Sequence, residues 1–215
     1  VSLPPPDLAI DADAVMWSAS EADREGRELL VLLHGYGSDE ADLFGLSPFL
    51  PLEPVIASVR APIPEGSGFA WFSRYTNDPG NPMTINADAA ARAVLEWLDT
   101  LAPVPSIGLL GFSQGAAVAL QLLRLEPERF SYAVQLSGFV VEGVQAGDAA
   151  LAKRRVPVFW GRGTQDAAIP TASIERTIEW LPAHSALDNR VYENLGHSIS
   201  ERELADVSHF IRSNQ

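Results

Sequence analysis

Ser113 sits between glycines in Gly111-Phe112-Ser113-Gln114-Gly115, and this pentapeptide joins an apolar, strand-like run, "SIGLLGF", to a helical one, "QGAAVALQLLRL". A hydroxyl on such a turn is either a polar helix cap or a nucleophile held above the end of a strand. The strand–turn–helix setting favours the nucleophile. Small residues at 111 and 115 let strand and helix pack closely, and the amides and dipole of a helix N-terminus favour negative charge. Serine attacks a carbonyl carbon only when an oriented base removes its proton, so the chain must also supply a base and an acid.

Four histidines are available as the base. His34, inside "LHGYG", reads as a structural hydrogen-bonder, His184 beside Pro182 as a surface residue, and His209 as a packed or solvated mid-helix side chain. His197 differs: it follows the last strand-like segment, "RVYENLG", and precedes a helix opened by Ser200. Asp166, in "VPVFWGRGTQDAAIP", follows the preceding strand and is the candidate acid, with an N-cap for the helix after Pro170 as its competing reading. Asp188 reads as lying ahead of a strand at the opposite edge, and Asp148 as part of a surface loop. The order Ser113, Asp166, His197 is that of an α/β-hydrolase triad. An oxyanion hole would then draw on the backbone N–H groups of Gln114 and of Tyr36 in "HGYG".

The elements that must hold these groups alternate along the chain. "ELLVLLHG", "PVIASVRAP", "SIGLLGFS", "YAVQLSG", "VPVFWG" and "RVYENLG" read as strands, and "AVMWSAS" as an antiparallel edge strand. Between them, "SDEADLFGLSPFL", "ADAAARAVLEWLDTLA", "QGAAVALQLLRL", "TASIERTIEWLPA" and "SERELADVSHFIRS" carry helical patterns, the first capped by Ser38 or Asp39. Near-continuous apolar strands alternating with amphipathic helices predict a mostly parallel α/β sheet with helices on both faces. Ligands of such sheets bind beyond the carboxyl ends of the strands, where Ser113, Asp166 and His197 all fall. No linker or repeat divides the sequence, so residues 1–215 are expected to form a single α/β-hydrolase domain.

Composition narrows the partners. A formal charge of −13 argues against nucleic acid and anionic membrane surfaces. Cysteine is absent, which excludes disulfides, Cys-ligated zinc and a cysteine nucleophile. No metal-ligand spacing, P-loop or dinucleotide fingerprint is found, so neither metal nor cofactor is expected. "VSLPPPDLAIDADAV" has no basic or apolar leader character and no run approaches the ~20 apolar residues of a membrane span. A cytoplasmic protein without stable membrane insertion is the simplest expectation.

"LLHGYGSDEADL", "GFAWFS", "GFSQGAAVAL", "GRGTQDAAIP" and "GHSISERELADVSHFI" together resemble the phospholipase/carboxylesterase family of α/β-hydrolases, which includes the acyl-protein thioesterases. The resemblance runs from about Leu32 to Phe210. It implies Ser113 as nucleophile, Asp166 as acid, His197 as base and the amides of Tyr36 and Gln114 as oxyanion donors. Tyr36 departs from the family, many of whose members carry leucine there; the change leaves the backbone donor and narrows the acyl pocket. The family often forms homodimers, which is the expectation here.

"FVVEGVQAGDAALAKRR" is too short for a cap domain. The stretch "APIPEGSGFAWFSRYTNDPGNP" reads as an irregular loop whose Trp71 and Phe72 either line an acyl groove or pin the loop to the core. Within it, the Arg74–Ile85 segment matches no family pattern. An open apolar site without a cap suggests a serine carboxylesterase acting on small-molecule esters of short to medium acyl chains. Thioesters or lysophospholipids are the alternative substrates. A peptidase would need a carboxylate for the peptide amine, for which Asp78 is the candidate, and a non-catalytic binding protein on the same fold is the reading from another class.

Overall fold

The computed structural model describes residues 7–73 and 84–215. Val1–Pro6 and residues 74–83, with Tyr75 and Asp78, lie outside the described residues. Seven strands form the main sheet in the order β1 (Met16–Trp17), β3 (Val55–Val59), β2 (Leu29–Leu33), β6 (Ile107–Phe112), β7 (Tyr132–Leu136), β8 (Pro157–Gly163), β9 (Ala186–Tyr192). β1 pairs antiparallel with β3 and every other neighbour in the sheet is parallel. The period-2 geometry of a strand sends successive side chains to opposite faces. Leu29, Val31 and Leu33 therefore enter one core while Leu30 and Leu32 enter the other.

The first core is closed by α2 (Thr84–Asp99), α3 (Gln114–Leu125), α4 (Asp148–Arg154) and α5 (Thr171–His184), through Val94, Leu120, Leu151 and Leu181 among others. The second is closed by α1 (Glu40–Phe44) and α6 (Glu201–Arg212), through Leu43, Val207, Phe210 and Ile211. Continuous burial of β2 and β3 follows from this double covering. Asp39, one of the two expected caps, is the N-cap of α1 and accepts the Ala41 N–H at 2.9 Å.

Several sequence expectations need correction. The last strand begins at Ala186 rather than near Arg190, because an edge strand half-open to solvent has no need of an apolar pattern. Asp188 is consequently mid-strand, paired with Arg190 at 2.7 Å, and not ahead of the strand. Asp148 is buried, not a surface-loop residue: it opens α4 and takes a bidentate pair from the fully buried Arg124 at 2.8 and 3.0 Å. Arg124 also donates to Val141 O at 2.8 Å, tying the chain between β7 and α4 to α3. His184 is partly buried, its ring stacked on Trp180 at 4.0 Å. The stretch read as an irregular loop contains a hairpin, β4 (Ile63–Glu65) with β5 (Gly68–Ala70), around a Gly66-Ser67 turn. Gly66 at φ 59° gives that turn the positive φ that a tight hairpin needs.

Candidate active site

β6 stops at Phe112 and α3 starts at Gln114, so Ser113 alone must reverse the chain; it does so at φ 54° and ψ −115°. A non-glycine residue there costs on the order of 1–3 kcal/mol. Close packing holds it. The Ser113 N–H donates to Leu136 O at 2.8 Å on β7, and Ser113 O accepts the Ala117 N–H at 3.1 Å in α3. The crossing of strand and helix has no room for side chains: a Cβ on Gly115 would stand 2.0 Å from Leu33 O, and one on Gly111 2.5 Å from the Ala116 backbone.

From this turn the Ser113 hydroxyl lies 2.9 Å from His197 Nε2, and His197 Nδ1 lies 2.8 Å from Asp166 Oδ2. Asp166 comes from the loop after β8 and His197 from the loop after β9, and a Cβ on Gly163 would meet Leu195 O at 2.0 Å, so the two loops are in backbone contact. The other Asp166 oxygen accepts from Ala168 N at 2.9 Å and Ile169 N at 3.3 Å. The turn-capping contacts and the His197 contact are thus made by the two oxygens of one carboxylate. Burial opposes the charge on Asp166, yet the His197 hydrogen bond and charge, the Ala168 amide and the Ser137 hydroxyl outweigh it and hold its pKa below the usual value. The Phe112 ring packs on His197 with centroids 4.8 Å apart.

His34 takes the structural part expected of it. Nδ1 sits 2.7 Å from Gly35 O, Nε2 accepts the Ala61 N–H at 3.0 Å, and burial lowers its pKa, which keeps the ring neutral. His209 is exposed on α6. The expected oxyanion residues Tyr36 and Gln114 both face the cavity above Ser113. Gln114 opens α3, whose first-turn amides have no acceptor within the helix. Its side chain does more than sequence reasoning anticipated: Oε1 accepts the Trp71 N–H at 2.8 Å and Nε2 donates to Phe72 O at 2.7 Å. The hairpin closes the other flank, with Gly37 N–H donating to Phe69 O at 2.8 Å and Phe69 N–H to Ser38 O at 2.7 Å.

The two aromatics proposed for substrate contact part company. Phe72 lines the cavity, whereas Trp71 is fully buried behind it and donates its indole N–H to His34 O at 2.9 Å. Trp71 is a support, not a wall. The cavity has a volume of about 300 Å³, and Phe139, Ile169 and Pro170, from the loops after β7 and β8, complete its apolar side. Phe139 was not anticipated, since nothing in "LSGFVVEG" marks it as facing a ligand. Among the described residues, no three acidic or histidine side chains gather as metal ligands. None of the described helices is long and apolar enough to cross a membrane.

A parallel sheet with helices on both faces, and a serine elbow hydrogen-bonded to a histidine and an aspartate from later strand ends, define an α/β-hydrolase. Solved structures agree on the fold: a Mesorhizobium loti carboxylesterase superposes with a TM-score of 0.76 at 24% identity, covering 96% of this chain and 99% of that one. A Bacillus cereus carboxylesterase does so with a TM-score of 0.77 at 23% identity, covering 94% of each. The phospholipase/carboxylesterase family model matches residues 17–215, and the chain belongs to that family of ester hydrolases. Among curated relatives, acyl-protein thioesterase 1 of Candida albicans is 30% identical over 212 residues, covering 86% of this chain and 90% of that protein.

Proposed function

We propose that this chain hydrolyses short- to medium-chain acyl esters through an acyl-enzyme on Ser113. The observation that carries the reading is the unbroken hydrogen-bonded chain from Ser113 Oγ through His197 to Asp166, at 2.9 and 2.8 Å, on a strained turn beneath a small cavity with one apolar side. His197 takes the proton of Ser113 as the hydroxyl attacks the ester carbonyl. The oxyanion is received by the backbone N–H groups of Gln114 and Tyr36. His197 then protonates the departing alcohol, and a water activated by the same ring releases the acid and frees Ser113. Asp166 stays ionised throughout, fixing the tautomer of His197 and stabilising its charged form.

The cavity of about 300 Å³ sits at the low end of ligand pockets, which supports short acyl chains over long ones. Thioesters share every step of this chemistry, and the likeness to an acyl-protein thioesterase keeps them as the second reading. The test is mass spectrometry after fluorophosphonate treatment, with p-nitrophenyl esters from acetate to decanoate as substrates. One adduct on Ser113, its loss in Ser113→Ala with a drop in kcat on the order of 10⁵–10⁶, and a rate maximum among the short- to medium-chain esters are expected. A Ser113→Ala variant retaining a tenth of the activity would overturn the proposal.

A further inference from the structure

Resting on the ester-hydrolase reading above, we propose that the site selects esters whose alcohol portion carries a cation, with Asp42 as the specificity-determining residue. Asp42 stands on α1, directly after the loop that carries Tyr36, and lines the same cavity as Ser113 and His197. Ser38 Oγ donates to Asp42 Oδ2 at 2.7 Å, which tethers the exposed carboxylate at the rim of the cavity. Among the described residues lining this cavity there is no lysine or arginine to neutralise it. The neighbouring Glu40 does have such a partner, since Arg60 reaches it with both Nε and a terminal nitrogen. Among the described residues, the charge on this helix left without a cationic partner is therefore the one that lines the pocket.

The rest of the wall suits the same ligand. Tyr36, Phe72 and Phe112 also line the cavity, and aromatic rings attract a cation as a carboxylate does, with quaternary ammonium groups the favoured guests. The sheet order separates the two ends of a bound ester. Ser113 stands at the end of β6, with the β2 loop and α1 on one side and the loops after β7 and β8 on the other. Phe139, Ile169 and Pro170 make the second side apolar, which suits the acyl chain and leaves the Asp42 side to the alcohol. An anionic alcohol group would meet the carboxylate without compensation.

The experiment compares kcat/KM for butyrylcholine with that for its uncharged isostere, 3,3-dimethylbutyl butyrate, in wild type and Asp42→Asn. The asparagine keeps an acceptor for Ser38 and removes only the charge. Wild type should favour the cation by about tenfold, the effect of one carboxylate near a partly solvated cation. The ratio should fall to near one in Asp42→Asn, and the wild-type preference should shrink between low and high salt. A wild-type ratio near one, a preference for the neutral ester, or a ratio untouched by Asp42→Asn would each overturn the proposal. Wild type that neither takes the fluorophosphonate nor hydrolyses p-nitrophenyl butyrate would instead overturn the ester-hydrolase reading on which it rests.

Discussion

Glu203 offers the most quantitative test of how the helix after His197 is held. It lies on the first turn of α6, only 1% exposed, six residues beyond His197. Its N–H donates to the N-cap Ser200 Oγ at 3.2 Å, and Ser200 returns a backbone hydrogen bond to the carboxylate, which makes a capping box. The carboxylate is driven against β8: one oxygen would lie 2.1 Å from a Cβ on Gly161, and Oε2 is buried with no hydrogen-bond partner among the described residues. Burial, against the pull of the Ser200 bond and reinforced by the charge of Asp206, raises its pKa to about 7. An unfolded glutamate titrates near 4.3, so the folded protein holds this proton more tightly than the unfolded chain. The stabilisation is fully present below about pH 4 and is lost as pH rises toward 7. At roughly 1.4 kcal/mol per pKa unit, the loss is on the order of 3 kcal/mol. Glu203→Gln abolishes the titration at a pH-independent cost for its buried amide. Urea unfolding of both proteins at pH 5 and pH 8.5 should therefore show wild type losing about 2–3 kcal/mol more than the variant. Parallel losses, within about 0.5 kcal/mol, would refute the raised pKa of this buried carboxyl.

Two further substitutions probe the elbow and its support. Gly115→Ala must push a methyl toward Leu33 O, 2.0 Å from the ideal Cβ, and should lower the urea midpoint at constant m by about 3 kcal/mol of stability, an unchanged midpoint being the refuting result. Gln114→Glu keeps the acceptor for Trp71 N–H but turns a carboxylate oxygen toward Phe72 O; kcat/KM should fall about 10–100-fold while near-ultraviolet circular dichroism stays native, and unaltered kinetics would remove this side chain from the positioning of the site.

The parts of this molecule that were legible in the sequence are those where one local rule coincides with one structural need. The elbow is written in a pentapeptide because the crossing of β6 and α3 excludes any Cβ at 111 and 115. His197 and Asp166 stand out because a parallel sheet delivers strand ends to one edge, so a titratable residue just past a strand is already near the chemistry. Asp148 was misread for the opposite reason. Its partner Arg124 is 24 residues away in α3, and a Gly-rich surround looks like a surface loop until that buried cation is placed beside it.

Trp71, Gln114 and Glu203 show a subtler limit. Composition marks Trp71 and Phe72 equally as aromatics beside a site, yet alternate side chains point opposite ways, and only the hydrogen bonds of Gln114 and of the Trp71 indole decide which one faces the cavity. The Ser200–Glu203 spacing is a capping-box signal readable from sequence. What it cannot give is the burial of that carboxyl against Gly161, since the glycine is 42 residues earlier on β8 and is bare because the glutamate needs its space. The loop that carries His197 thus ends in a helix whose cap is sensitive to one proton. If the pH-dependent stability of Glu203 is measured as expected, the same proton should govern how firmly the start of α6 is held, and so how rigidly His197 meets Ser113.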